Sequence, residues 1–287
     1  MNATVLRQRI IDTKRIPSLP THIQHLIQSL TKDDLSFREL AKIIETHPPI
    51  ALRLIALANS AWAAPINPVN SVEKACLNLG LTIVRSVSIG LAVISPFNIS
   101  FCPAFDLHRF WVSSQMVASG AVLLAAGMPT QADDAFLQTI HTGGLLHNLG
   151  LLCLADLLPK ETQHALCAVN KAPELTLNEI LSQTIDTDFC EVGAFFAETW
   201  GLPQNLVDVI KHHRDDQYHG HYWQHAVLVG NAALMVSALF KNQEGLPPHN
   251  TLEKLAISQT YQQQIFDKLQ AQFQETSELA KALFHAI

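Results

Sequence analysis

Apolar residues recur with a helical period along almost the whole chain. Ser36 is placed to cap a helix in "SFRELAKII", and Glu39 follows it at the spacing of a capping box. Gly80 stands directly after "SVEKACLNL", where a residue that tolerates left-handed backbone ends a helix at low cost. No segment alternates polar and apolar residues as a strand does. The pattern therefore predicts an all-α fold.

The segment "SPFNISFCPAFD", residues 95–106, contains two prolines and has no helical period. We take it as the boundary between a helical bundle over residues 1–100 and a second helical lobe, with C-terminal helices, over residues 101–287. Asn250 and Glu253 have capping-box spacing before a last amphipathic helix, which we expect to dock on its own chain because it lacks sustained heptads. The second part is predicted to contain helices near residues 106–126, 133–156, 159–170, 176–184, 189–199, 203–213 and 221–240.

Composition limits the partners and the location that we expect. Charged residues make up 15% of the 287 residues and the formal net charge is −6, so the basic surface that nucleic acid requires is not expected. The five cysteines are scattered and include no C-x-x-C, which is typical of reduced thiols in the cytoplasm. The N-terminus has no apolar core of a signal peptide, and stretches such as residues 86–97 are too short to span a membrane. We expect a soluble, cytoplasmic chain that binds neither nucleic acid nor membrane.

The chain has neither a P-loop with its lysine nor a G-x-S-x-G nucleophile motif. The histidines are therefore the remaining candidates for functional residues. In "GGLLHNLGLLCL", His147 stands beside Asn148 on an apolar segment, and such a pair is most often a hydrogen-bonded part of a core. His212 and His213 lie near the end of a predicted helix, where a cation interacts favourably with the helix dipole. His141 is equally consistent with an ordinary surface residue.

Six stretches of the sequence resemble, in order, the landmarks of the HDOD (HD-related output domain) family. They are "IPSLPTHIQHLIQSL", "IETHPPIALRLIALANSAW", "SVEKACLNLGLTIVRSVSIGLA", "FWVSSQMVA", "GGLLHNLGLLCL" and "EVGAFFAETWGLPQNLVDVIKHH". The resemblance extends from Ile16 to at least His213. It implies an HD-like multi-helix domain, preceded by a smaller helical bundle, that is related to the HD metal-dependent phosphohydrolases and serves in bacterial signal transduction.

The resemblance also places the four metal-ligand positions of HD hydrolases, called here the HD positions. The early histidine corresponds to Ser113, the His-Asp pair to His147 and Asn148, and the late aspartate to Asn231. One ligand of four is therefore kept. Because neutral amides replace both carboxylates, a divalent metal would be bound weakly, and no acidified water would be available for hydrolysis. We expect no cofactor.

The first functional hypothesis is a non-catalytic signal-transduction output module. It would bind a protein partner of a bacterial signalling pathway, or a small ligand such as a nucleotide, through the vestigial HD site and the cleft between the two lobes. The candidate lining of that site and cleft is Ser113, His147, Asn148, His212, His213 and Asn231.

The alternative hypothesis is a metal-dependent phosphohydrolase with a re-formed, histidine-rich site. Its ligands would be His147, His212 and His213, with His141 as a further candidate, and imidazoles would suit Zn, Ni or Fe better than Mg or Mn. Such a site would also need an acid or base, for which Asp215, Asp216 and Glu191 are the candidates.

Overall fold

The structure is a computed structural model that describes residues 21–30, 35–169, 171, 175–247 and 251–285. It is all-α, as predicted, and contains no strand within these ranges. Two short 3-10 helices, Ile99–Phe101 and Leu252–Leu255, accompany the α-helices. The α-helices of the described ranges are α1 (Thr21–Leu30), α2 (Phe37–Glu45), α3 (Pro48–Ala58), α4 (Val72–Leu79), α5 (Leu81–Ile94), α6 (Leu107–Ala125), α7 (Asp134–Leu146), α8 (Leu149–Leu157), α9 (Pro159–Val169), α10 (Leu177–Ile185), α11 (Phe189–Thr199), α12 (Gln204–His212), α13 (Trp223–Phe240) and α14 (Gln259–His285).

The predicted helix ends near residues 36 and 80 are confirmed in atomic detail. The Ser36 side chain accepts a hydrogen bond from the Glu39 backbone N–H, and the Glu39 carboxylate accepts one from the Ser36 backbone N–H at 2.9 Å. Gly80 has φ of +84°, which an L side chain rarely adopts. The predicted cap at Asn250 lies outside the described residues, and Glu253 lies within the second 3-10 helix.

The single helix predicted near residues 133–156 is wrong, because the structure has two helices there. Helix α7 ends with His147 as its C-cap, and α8 begins after Asn148, whose φ of −98° and ψ of 13° leave the helical region. The His147 Nδ1 donates to the carbonyl oxygen of Gly144 at 2.7 Å. The side chain thereby gives a hydrogen bond to a carbonyl of the last helical turn, where the backbone supplies no donor. The apolar period continues through this break, and the pattern therefore did not reveal it.

The proline-containing segment 95–106 is fixed against the second half of the chain. The Asn98 backbone N–H donates to a carboxylate oxygen of Asp156 at 3.2 Å, and the Ala104 N–H donates to Gln163 Oε1 at 2.6 Å. Buried side chains from both sides of this segment belong to one hydrophobic cluster. The boundary near residue 100 stays a prediction, but the segment has the contacts of a packed connection rather than of a free linker.

The two long C-terminal helices, α13 and α14, pack against the same chain: α13 is mostly buried, and α14 buries one face and exposes the other. As expected, α14 docks in cis: the Tyr261 hydroxyl donates to the Leu123 carbonyl at 3.0 Å, and the Phe284 ring meets Trp111 edge to face. Among the described helices, α13 is long and apolar enough to cross a membrane, yet 67% of it is buried within the protein. Its place in the core accounts for its composition.

Candidate functional site

Glycines position the segment that carries His147. An added Cβ at Gly144 would lie 2.7 Å from the Ala118 backbone nitrogen, so α7 approaches α6 as closely as backbones allow. An added Cβ at Gly150 would overlap the Phe189 carbonyl oxygen, and one at Gly193 would lie 2.9 Å from the Gly150 nitrogen. The helices α8 and α11 therefore cross at a glycine–glycine contact. The glycines of "GGLLHNLG" serve this close packing.

His147 and His213 form a buried pair, called here the histidine pair. Their rings meet edge to face with centroids 5.4 Å apart, and they are 1% and 5% exposed. The His213 Nδ1 donates to the Ile210 carbonyl oxygen at 2.9 Å, just as His147 bonds Gly144. Burial lowers the pKa of His147 to about 3. Burial and then the neighbouring His147 hold the pKa of His213 well below its usual value, so both rings are neutral at pH 7.

Cys190 completes this cluster, and sequence reasoning did not select it. Its Sγ lies 4.0 Å from each ring nitrogen of His213, and the Asn178 side-chain amide donates to it at 3.4 Å. Burial raises the pKa of the Cys190 thiol to about 12. A neutral thiol beside a neutral imidazole is not the thiolate–imidazolium pair of a cysteine nucleophile. No motif around Cys190 signals the contact, which depends on the approach of α11 to α12.

The other HD positions are occupied by neutral side chains. The Asn148 Nδ2 faces the Ser113 Oγ at 3.5 Å, at the long limit of a hydrogen bond, and both residues are half-buried. Asn231 is 5% exposed on α13, and its Nδ2 donates to the Val227 carbonyl at 2.8 Å and to the Thr251 Oγ1 at 2.7 Å. The Asn231 amide therefore ties α13 to the start of the second 3-10 helix.

His212 does not join the histidine pair. Its ring stacks on Tyr218 with centroids 3.9 Å apart, and its Nδ1 lies 3.4 Å from an Asp215 carboxylate oxygen. Neighbouring residues of a helix point about 100° apart, so His213 faces the core while His212 lies at the half-buried end of α12. The proposed ligand set of His147, His212 and His213 is thus divided between two places.

Two of the acids considered for the alternative hypothesis, Glu191 and Asp215, have other partners for their carboxylates. Glu191 lies 3.9 Å from the Lys211 Nζ, and Asp215 accepts from the Gln217 backbone N–H at 3.0 Å. For Asp216 the contact is a backbone one, because its carbonyl oxygen accepts from the Lys254 Nζ at 2.7 Å.

The residues at the HD positions do not fit a divalent ion. No carboxylate stands at any of them, and the Asn148 and Asn231 amides present donor hydrogens to Ser113 and Thr251. Within the described ranges, no three His, Cys, Asp or Glu side chains are grouped so that they could hold one metal. A hard cation requires anionic oxygens to offset the loss of its hydration shell, and this cluster offers none.

A cavity of about 280 Å³ lies between the two parts of the chain, and we call it the inter-lobe cavity. It is where a cleft was expected, but the six side chains predicted to line that cleft are not in its lining. His141, one of the four singled-out histidines, does line it. The lining consists of Leu30, Leu81, Thr82, Arg85 and Ile89 from α1 and α5, and of Val122, Asp134, Leu137, Gln138, His141 and Thr142 from α6 and α7.

Known proteins share this fold. A chain of 21% identity, an HDOD domain protein of unknown function from Geobacter sulfurreducens, superposes with a TM-score of 0.74 over 98% of each chain. A Marinobacter aquaeolei VT8 chain assigned to signal transduction gives a TM-score of 0.80 at 23% identity and covers 95% of this chain. A Shewanella amazonensis SB2B chain assigned to the phosphohydrolases gives 0.69 at 22% identity over 97% of each chain. At these identities the likeness shows the fold alone.

Sequence comparison gives the family. An uncharacterised protein of Treponema pallidum (strain Nichols) is 25% identical over 221 residues, which are 74% of this chain. This chain spans 40% of the Treponema protein and 60% of the Marinobacter chain. The family model of the HDOD domain matches residues 16–216, which is more than half of the chain and agrees with the extent of the resemblance seen in the sequence. The chain therefore belongs to the HDOD domain family.

Proposed function

We propose that this chain is a non-catalytic signal-transduction output module of the bacterial cytoplasm, which binds a protein partner or a small ligand. The observation that carries the proposal is the chemistry of the HD positions. Ser113, Asn148 and Asn231 are neutral there, and His147 is buried with one ring nitrogen bonded to a backbone carbonyl.

The electrostatics of the cluster support the non-catalytic part of this proposal. Metal-assisted phosphoester hydrolysis needs an ion that acidifies water, and a general acid or base whose pKa lies near the working pH. The pKa of His147 is about 3 because of burial, and the Cys190 thiol has a pKa of about 12 for the same reason. Neither group changes its protonation state near pH 7.

The distribution of exposed apolar side chains supports a protein partner at the N-terminal part. The large hydrophobic residues that stand out into solvent in the described ranges all precede residue 102. They are Leu52 (68% exposed), Ile66 (99%), Leu77 (62%) and Phe101 (69%). Exposed apolar side chains mark a protein contact where they form one continuous patch, and we propose such a contact for this part of the chain.

The proposed function is tested by measuring metal content and hydrolysis on untagged wild-type protein. Phosphomonoesters and cyclic dinucleotides are offered with Mn²⁺, Mg²⁺, Ni²⁺ and Zn²⁺ in turn, and elemental analysis is run on the same preparation. We expect substoichiometric metal and no turnover above that of the free ions. Stoichiometric metal with turnover that both chelation and His147→Ala abolish would replace the proposal with the phosphohydrolase hypothesis.

Restoring one charge at the HD positions is expected to raise metal affinity without creating an enzyme. Asn148→Asp should strengthen Mn²⁺ binding by roughly tenfold or more, because a carboxylate then stands 3.5 Å from the Ser113 hydroxyl in place of an amide. Calorimetric titration with MnCl₂ measures the change. Asn70→Asp, at an exposed position before α4, introduces the same charge elsewhere and serves as the control. Equal Mn²⁺ affinity in the two variants would contradict the assignment of position 148.

A further inference from the structure

Cys102 and Cys167 contact the two ends of one side-chain amide, that of Gln163. The Cys102 Sγ donates to the Gln163 Oε1 at 3.9 Å, and the Gln163 Nε2 donates to the Cys167 Sγ at 3.5 Å. These two amide atoms are bonded to the same carbon, at about 1.2 and 1.3 Å, so one amide group bridges the two thiols. Both cysteines are free thiols in this structure.

The two cysteines come from segments that are distant in sequence and packed together. Cys102 is the C-cap of the 3-10 helix Ile99–Phe101, which packs against α9. Cys167 lies on α9, one turn after Gln163 and therefore on the same face of the helix. The pair thus joins the connecting segment 95–106 to a helix of the second part of the chain.

The two thiols differ in their access to solvent. Cys167 is exposed, whereas Cys102 is only 1% exposed. The other cysteines of the chain, all within the described ranges, are buried as well: Cys76, Cys153 and Cys190. Burial raises the pKa of the Cys102 thiol, which lowers its thiolate fraction. A soluble oxidant therefore meets Cys167 first, and Cys102 reacts afterwards from within the protein.

We propose that Cys102 and Cys167 form a reversible disulfide, which makes the connection between the two parts of the chain sensitive to redox conditions. The oxidant is a low-molecular-weight disulfide, RSSR. The Cys167 thiolate attacks one sulfur of RSSR, the S–S bond of the reagent breaks, and the leaving thiolate takes up the Cys167 proton as RSH. The Cys102 thiolate then attacks the Cys167 sulfur of the mixed disulfide and releases the second RSH. The two cysteines lose two electrons and two protons, and RSSR gains them.

The disulfide is incompatible with the present position of Gln163. An S–S bond is about 2.0 Å long, so the amide has to leave its place between the thiols. Gln163 is half-buried on α9, and its flexible side chain can turn towards solvent. Its Oε1 also accepts the Ala104 N–H at 2.6 Å, and this bond is lost when the amide moves. Oxidation therefore exchanges a hydrogen bond of the connecting segment for a covalent bond.

A disulfide of this kind suits sensing better than permanent stabilisation. In a reducing compartment, protein disulfides are usually transient and respond to oxidants. That the redox state is a signal passed on by the module rests on the proposed function; that the disulfide forms does not.

The experiment treats the native full chain with glutathione disulfide at pH 8, blocks the remaining thiols with N-ethylmaleimide and maps linked peptides by mass spectrometry. We expect wild-type protein to lose two hydrogens, to keep no glutathione and to give one linked peptide pair that contains Cys102 and Cys167. Dithiothreitol should restore the starting mass. Cys76, Cys153 and Cys190 should react at least about tenfold more slowly, because they are buried.

Four variants separate the steps of the reaction. Cys102→Ser should stop at the mixed disulfide and carry one glutathione on Cys167, whereas Cys167→Ser should give neither a cross-link nor an adduct. Cys76→Ser, at a buried cysteine of α4, is the matched control and should form the cross-link as wild type does. Gln163→Ala removes the amide between the thiols and should form the cross-link faster than wild type. Circular dichroism establishes that each variant is folded, and the mapping of wild-type protein needs no variant.

The outcomes separate the disulfide from the proposed function. Wild-type protein that does not react, that keeps glutathione on Cys167 without a cross-link, or that links other cysteines overturns the disulfide. A slower reaction of Gln163→Ala would overturn the incompatibility between the disulfide and the amide. In metal-free, inactive protein, such results leave the output-module proposal standing. A Cys102–Cys167 cross-link in a protein that hydrolyses phosphoesters with stoichiometric metal supports the disulfide and overturns the proposed function.

Discussion

Gly150→Ala is expected to lower the free energy of unfolding by about 2–4 kcal/mol, even though alanine is the better helix former. The added Cβ would overlap the Phe189 carbonyl oxygen and lie 2.5 Å from the Gly193 nitrogen, so α8 and α11 must separate. These neighbours are backbone atoms and cannot turn aside as a flexible side chain does. Urea unfolding followed by far-UV circular dichroism measures the loss.

Gly120→Ala is the matched control for this substitution. It also adds a Cβ within a helix, but the nearest atom is a Leu269 methyl group at 3.2 Å, which belongs to a side chain. The gain in helix propensity of roughly 1 kcal/mol then offsets most of the crowding, and stability should stay within about 1 kcal/mol of wild type. Similar losses in both variants would contradict the glycine–glycine contact between α8 and α11.

Acidification is expected to destabilise the protein strongly below pH 6.5, with the histidine pair as a major cause. The pKa of His147 falls from 6.5 to about 3 on folding because of burial, so between these values the unfolded chain binds more protons than the native one. Stability is therefore complete above pH 6.5 and decreases as the pH falls towards 3. At about 1.4 kcal/mol per unit, His147 alone accounts for a loss of roughly 2 kcal/mol at pH 5.

His147→Asn tests this contribution, since asparagine keeps a donor for the Gly144 carbonyl and cannot titrate. The free energy of unfolding is measured in urea at pH 7.5 and pH 5, and the difference should shrink by about 2 kcal/mol relative to wild type. His164→Asn, on the exposed surface of α9, controls for the loss of a histidine. An unchanged difference in His147→Asn would mean that the ring is accessible to protons in the native state.

Local sequence signals predicted most helix ends, because a capping side chain bonds to backbone groups only a few residues away and its motif is therefore visible in the sequence. The capping box of Ser36 and Glu39 formed as its spacing required, and Gly80 ended a helix where left-handed backbone is needed. The break at His147 and Asn148 was missed for a physical reason. It lies next to the close approach of Gly150 to α11, a tertiary contact that apolar periodicity does not encode.

The family resemblance predicted which residues occupy the HD positions. It did not predict the contacts that depend on how the helices pack together. The proximity of Asn148 and Ser113 followed from the HD positions. Which of two adjacent histidines faces the core depends on how α12 is rotated, so the sequence did not separate His212 from His213. Arg85 and His141 line the same cavity although their helices are distant in sequence. No local sequence pattern predicts that they lie close together.

One helix, α7, belongs to both regions described above. His141 and Thr142 line the cavity, and His147 caps the same helix little more than one turn later. If a ligand in the inter-lobe cavity changes the affinity of a partner that contacts α7, that partner changes the affinity of the ligand by the same factor. Such reciprocity needs no catalytic group, because it depends only on binding free energies.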